Sequence, residues 1–143
     1  MLNLLVREVM DQDESHVLAP DVTVAAAAEF MAAQHIGAVM VVSQGSLVGI
    51  FTERDALFRV MAKGVDPRAT TLAQVMTPQP YTVAPTKSYG HALVVMQEHD
   101  FRHLPVIDNG KPIGIVSARN AMDPELEEFA SEAQRRKHLR DER

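Results

Sequence analysis

The sequence predicts an α+β fold made of two similar units, and three observations carry that prediction. The stretch Gly49-Ile50-Phe51-Thr52-Glu53-Arg54-Asp55 recurs as Gly114-Ile115-Val116-Ser117-Ala118-Arg119-Asn120. A shift of 65 residues aligns Leu18–Leu57 with Val83–Met122 without a gap, and ten of the 40 paired positions are identical. Chance at ordinary composition gives roughly two or three, so the chain is a tandem duplication. Within each copy the hydrophobic period is first that of a helix with one buried face, then that of two buried strands joined by a turn.

In order, Leu2–Met10 is apolar and ends in Val9-Met10, a dipeptide that returns as Val75-Met76 ahead of the second unit. Each unit is therefore expected to be led in by a short helix or turn that closes on its own repeat. Asp11–Ser15 reads as a polar loop. Val24, Ala27, Ala28 and Met31 give Val24–Gln34 a helical period, with Thr23 as N-cap and Gly37 just past the end. Ala38–Val42 is a continuous apolar run, a strand buried on both faces, and Ser43-Gln44-Gly45-Ser46 turns the chain into the strand Leu47–Phe51. Thr52 then caps a helix expected to reach Ala62, with Ala56, Leu57, Val60 and Met61 inward, before Gly64 and Asp66-Pro67 stop it. The second unit repeats the order. Ser88–His99 is helical with Ala92, Leu93 and Met96 inward, and Leu104–Ile107 is a strand. Asp108-Asn109-Gly110-Lys111 is a hairpin turn whose central residues tolerate positive φ. Pro112–Val116 returns, and Ser117 caps a last helix ending near Met122. These readings place the units at residues 9–65 and 74–122. Residues 123–143 are expected to form a charged C-terminal helix or tail, with Asp123 as cap and Pro124 at its first helical position. Its apolar stripe Leu126, Phe129 and Ala133 fits either a solvated helix packing on the body or a partner-binding helix.

Composition narrows the function. The chain carries a net charge of −5, which argues against nucleic-acid or anionic-membrane surfaces. It has no Cys, hence no disulfide framework and no thiolate chemistry. The N-terminus has neither a basic leader nor a long apolar run, so no signal peptide is expected and the cytoplasm is the expected location. No nucleophile and base pair and no Walker-type loop stand out, so neither catalysis nor a catalytic residue is expected. His99 and His103 are four apart but straddle a helix end and a strand, so no metal site is expected. Met10, Met31, Met61, Met76 and Met96 read as core filler. At each signature, a strand delivers Thr or Ser to a helix start, where free N–H groups, a hydroxyl, an Arg and an Asx residue converge. That is a setting either for a simple cap or for an anionic, hydroxyl-bearing ligand.

The two Gly-h-h-(Thr/Ser)-x-x-(Asp/Asn) signatures, each preceded by a Val-Met dipeptide and an Ala-Pro pair (Ala19-Pro20, Ala84-Pro85), resemble a tandem of cystathionine-β-synthase (CBS) domains over about Val9 to Met122. The resemblance implies two pseudo-twofold-related β-α-β-β-α units packed sheet to sheet, with two clefts at the seam. Many members bind adenine nucleotides there, among them AMP, ADP, ATP, NAD or S-adenosylmethionine, and such modules pair into homodimers. Carried onto this sequence, Asp55 and Asn120 contact ribose hydroxyls, Thr52 and Ser117 face phosphate or ribose, and Arg54 and Arg119 reach phosphate. Ile36-Gly37-Ala38 and Phe101-Arg102-His103 line the adenine pockets, and Val17 and Thr82 sit at their floors. Asn120 departs from the acidic residue of the pattern. The Asp55 cleft is therefore expected to grip ribose harder. The Asn120 cleft, credited with Arg102 and His103, is expected to tolerate 2′-deoxy ligands and favour more phosphate. Two functions fit: a regulatory module that senses an adenine nucleotide and acts on a protein in trans, or a structural pairing module with vestigial clefts.

Overall fold

The computed structural model describes residues 1–12, 16–122, 132 and 135–140. Helix α1 is Val6–Val9, β1 Val17–Leu18, α2 Val24–Gln34, β2 Ala38–Ser43 and β3 Ser46–Thr52. Helix α3, Glu53–Asp55, runs on as a π-helical segment, Ala56–Met61. Then come α4 Leu72–Val75, β4 Thr77–Pro78, α5 Tyr89–His99, β5 His103–Asp108, β6 Lys111–Ser117 and a 3-10 turn, Ala118–Met122.

Local chemistry repeats with the sequence. Thr23 accepts the Ala26 N–H at 3.2 Å and Ser88 the His91 N–H at 3.0 Å, so both long helices start where their hydroxyl caps stand. Both end on a left-handed residue, His35 at φ 54° and Asp100 at φ 56°. Both hairpins turn through two positive-φ residues, Gln44-Gly45 and Asn109-Gly110. Each hairpin also bulges at the same place, Val41/Val42 and Val106/Ile107.

The leading segments are exchanged. The first unit's sheet runs β1-β2-β3-β4, with β1 parallel to β2 and the other pairs antiparallel. Its last strand, β4, is the approach to the second unit. In return, Asp11 bridges to Ile115 beside β6, and Val83 bridges to Val106 where β1 pairs β2 in the first unit. The cores follow: Leu4, Val6 and Val9 pack with Tyr89, Ala92, Met96, Leu104 and Val116. Leu72 and Val75 pack with Val24, Ala27, Met31, Val39 and Phe51. Each leading helix thus closes the opposite repeat, and the expectation that it closes its own is overturned. The duplicated glycines give the reason. A Cβ on Gly49 would collide with the Met76 sulfur, and one on Gly114 would lie 2.6 Å from the Asp11 carbonyl oxygen and 3.1 Å from the Met10 sulfur. The methionine of each Val-Met dipeptide fills the room a glycine of the opposite repeat leaves and the valine enters that repeat's core, so neither core is complete without the exchanged segment.

Along β2, alternate residues serve two cores: Val39 and Val41 face the helices, while Ala38 and Met40 meet Ile50 and Ile115 in a third cluster between the two sheets. That cluster is the seam.

The helix after Thr52 departs from expectation. Val60 is buried and Ala56 half-buried, but Leu57 and Met61 are 50% and 74% exposed. Ala56 and Val60, four apart, share the inner face, while Leu57 and Met61, each one residue further on, lie about a quarter-turn round from it, so Met61 is not core filler. At the C-terminus, residues 135–140 are helical and Arg136 lies 4.0 Å from Glu132. Asp123, Pro124, Leu126, Phe129 and Ala133 lie outside the described residues.

Candidate functional site: two clefts at the seam

Two clefts flank the seam, and each is assembled from both units. One, of about 770 Å³, is lined by Ser117, Arg119 and Asn120 of the second signature together with Ile36, Gly37 and Ala38 of the first unit, and by Asp11, Gln12, His16, His35 and His103. The other, of about 300 Å³, joins Thr52, Arg54 and Asp55 to Phe101, Arg102 and His103, with Phe58, Arg59, Thr77, Tyr81 and Asp100 around them. We refer to them as the Asn120 cleft and the Asp55 cleft.

This pairing corrects the expectation that credited Arg102 and His103 to the Asn120 cleft: Arg102 lines the Asp55 cleft, and His103 lies between the two. The backbone explains the crossing. The Glu53 N–H donates to the Gly37 carbonyl at 2.9 Å and the Ala118 N–H to the Arg102 carbonyl at 3.0 Å. Each segment is thus bonded to its own signature through its carbonyl, while it lines the cleft that holds the other. Val17 and Thr82 are also corrected, since both are exposed and neither lines a cleft. On β1, Leu18 packs on the core, so the neighbouring Val17 points outward. The residues that do line the clefts are one position earlier, His16 and Tyr81, themselves related by the shift of 65.

Both signatures cap their own turns, the first of them reciprocally. The Thr52 N–H and hydroxyl donate to Asp55 Oδ2 at 3.0 and 3.2 Å, and the Asp55 N–H donates to the Thr52 hydroxyl at 3.3 Å. The Ser117 N–H and hydroxyl donate to Asn120 Oδ1 at 2.9 and 3.1 Å. Beyond the caps the clefts diverge. Asp55 Oδ1 also accepts from the Thr77 hydroxyl at 3.4 Å and lies 3.5 Å from Arg59 Nε. Arg54 donates to the Asp100 carbonyl at 2.9 Å and lies 3.5 Å from its carboxylate. Among the described residues, neither the Arg119 guanidinium nor the Asn120 NH₂ has such a partner. Behind Ser117, the buried Tyr89 hydroxyl donates to the Ser117 carbonyl at 2.8 Å, and burial pushes its pKa up to about 12.

His103 is held uncharged. Burial, then the neighbouring Arg102, Arg54, His16 and Arg119, lower its pKa to about 4. In the Asp55 cleft, Tyr81 stacks on His99 at 4.0 Å between ring centroids, with Phe101 5.7 Å from Tyr81. Among the described residues, no three His, Asp or Glu side chains are grouped to hold a metal, and no helix is long and apolar enough to cross a membrane.

The family model described as CBS domain matches residues 6–62 and again 72–124. The chain belongs to the CBS domain family. Its two CBS units have a relative in CBS domain-containing protein YhcV of Bacillus subtilis, 35% identical over 100 residues, which cover 70% of this chain and 71% of that protein. The Meiotically up-regulated gene 70 protein of Schizosaccharomyces pombe is 37% identical over 101 residues, 71% of this chain but 14% of that protein's length. A CBS domain protein from Pyrobaculum aerophilum, solved in complex with AMP, shares the CBS fold at a TM-score of 0.77 and 23% identity, over 90% of this chain and 99% of that one.

Proposed function

We propose that this CBS pair is a non-catalytic regulatory module that binds adenine nucleotides in its two clefts and reports occupancy through the geometry of a homodimer to a protein in trans. The observation that carries the reading is the construction of the clefts. Each brings the hydroxyl, Arg and Asx residues of one unit against the loop of the other, so a ligand held there would change how the units sit together. The AMP complex of the P. aerophilum protein supports the choice of ligand class. Leu57, Phe58 and Met61, exposed at 50, 59 and 74%, supply an apolar face for a second copy.

The structural alternative, a pairing module with vestigial clefts, draws support from the Asp55 cleft, where the carboxylate and Arg54 are already engaged. Melting curves with millimolar AMP, ADP, ATP, NAD and S-adenosylmethionine separate the two. A ligand at 100 times its Kd stabilises by ~2.7 kcal/mol, a rise of several degrees. No shift with any of the five leaves the structural reading standing.

A further inference from the structure

One buried group in the Asn120 cleft lacks a partner. His16 is 7% exposed and lines the cleft, and its Nδ1 is shut off from solvent with no hydrogen bond among the described residues. An uncharged imidazole holds one proton. On Nδ1 that proton would be a buried donor with no acceptor, a rarer arrangement in folded proteins than an unused acceptor lone pair. The proton therefore belongs on Nε2, where it can be offered to the cleft. Burial grades across the lining: His16 belongs with the buried residues Ala38 and Ile115, Ile36 and Gly37 are half-buried, and Arg119 is exposed. A nucleotide fits this gradient with its base inward and its phosphate at the solvated rim beside the guanidinium.

We propose that His16 reads the base in the Asn120 cleft, its Nε2–H donating to an acceptor nitrogen of a purine ring. This rests on the nucleotide-binding reading above and assigns the contact to one cleft alone. The corresponding residue of the other cleft, Tyr81, is 53% exposed and presents a stacked ring rather than a buried donor. The two clefts then recognise a base differently, one by a hydrogen bond and one by stacking.

The test titrates AMP and its 1-deaza, 3-deaza and 7-deaza analogues calorimetrically into the wild-type chain and into His16→Phe. The expected result is a roughly tenfold loss at one of two sites in His16→Phe, with the other unchanged. One deaza analogue should show the same loss on the wild type and no further loss on the variant. If AMP binds and His16→Phe leaves both sites intact, or the wild type treats AMP and all three analogues alike, the assignment to His16 is overturned while the nucleotide reading stands. If the wild type binds no AMP, both fall. Should His16→Phe fail to fold, the comparison of the analogues on the wild-type chain decides alone.

Discussion

The two clefts descend from one duplicated sequence, yet one is engaged by its own side chains and the other, among the described residues, is open. In the Asp55 cleft the carboxylate accepts from the Thr52 N–H and the Thr52 and Thr77 hydroxyls, and Arg54 is bonded to Asp100. A ligand entering there must compete with bonds already made. In the Asn120 cleft, the amide NH₂ and the Arg119 guanidinium have no such partners among the described residues, and the volume is about 770 Å³ against about 300 Å³. Residue chemistry alone favours Asp55 over Asn120 as a ribose acceptor, but the value of an acceptor depends on what it is already accepting. We therefore expect the open cleft to bind first.

The largest expected effect lies between the clefts, at His103. Its folded pKa of about 4 is below the ordinary value of 6.5, so the unfolded chain takes up this proton first as pH falls. The stabilisation from keeping His103 neutral is complete above pH ~6.5 and is lost as pH drops toward 4, by up to roughly 3 kcal/mol. Urea unfolding across that window should show the slope, and His103→Gln should flatten it. An unchanged slope would mean that other groups govern the acid response. An anion in either cleft offsets the surrounding arginines and should draw a proton onto His103, visible as a buffer-dependent binding enthalpy near pH 5.

The exchanged leading segments give the next effect. Gly114→Ala would force a methyl group onto the Asp11 carbonyl oxygen, which is backbone and cannot swing away, whereas Gly49→Ala first meets the flexible Met76 side chain. Overpacking of this kind costs ~1–3 kcal/mol, and Gly114→Ala should lie toward the upper end with Gly49→Ala below it. Equal denaturation midpoints for the two variants would show that the two approaches are equally yielding.

Much of this architecture was legible in the sequence because it is written locally. Thr23 and Ser88 mark helix starts, Asn109-Gly110 marks a hairpin, and Thr52 and Ser117 mark the caps where the signature residues gather. What was not legible is non-local or turns on a single residue of register. Nothing in the period of Val6–Val9 says which of two equivalent cores it joins, so the exchange could not be read. The alternation that puts Leu18 inward already excluded Val17 from the cleft, and applying it to both units would have pointed to His16 and Tyr81. Ala56, Leu57, Val60 and Met61 all fit one broad helical stripe, and only packing decides that Ala56 and Val60 take the inner face while Leu57 and Met61 are exposed.

The inequality of the clefts is tested most directly by titrating AMP into the wild type, Arg119→Ala and Arg54→Ala. Arg54 gives up its bonds to Asp100 to reach a phosphate, and an exposed ion pair of that kind is worth ~0–1 kcal/mol, so its net gain on binding is reduced by that much. The account predicts two unequal sites in the wild type, with Arg119→Ala weakening the tighter one by about tenfold or more, ~1.4 kcal/mol. Arg54→Ala should weaken the other site by only about two- to threefold. Equal losses, or a larger loss from Arg54→Ala, would contradict it.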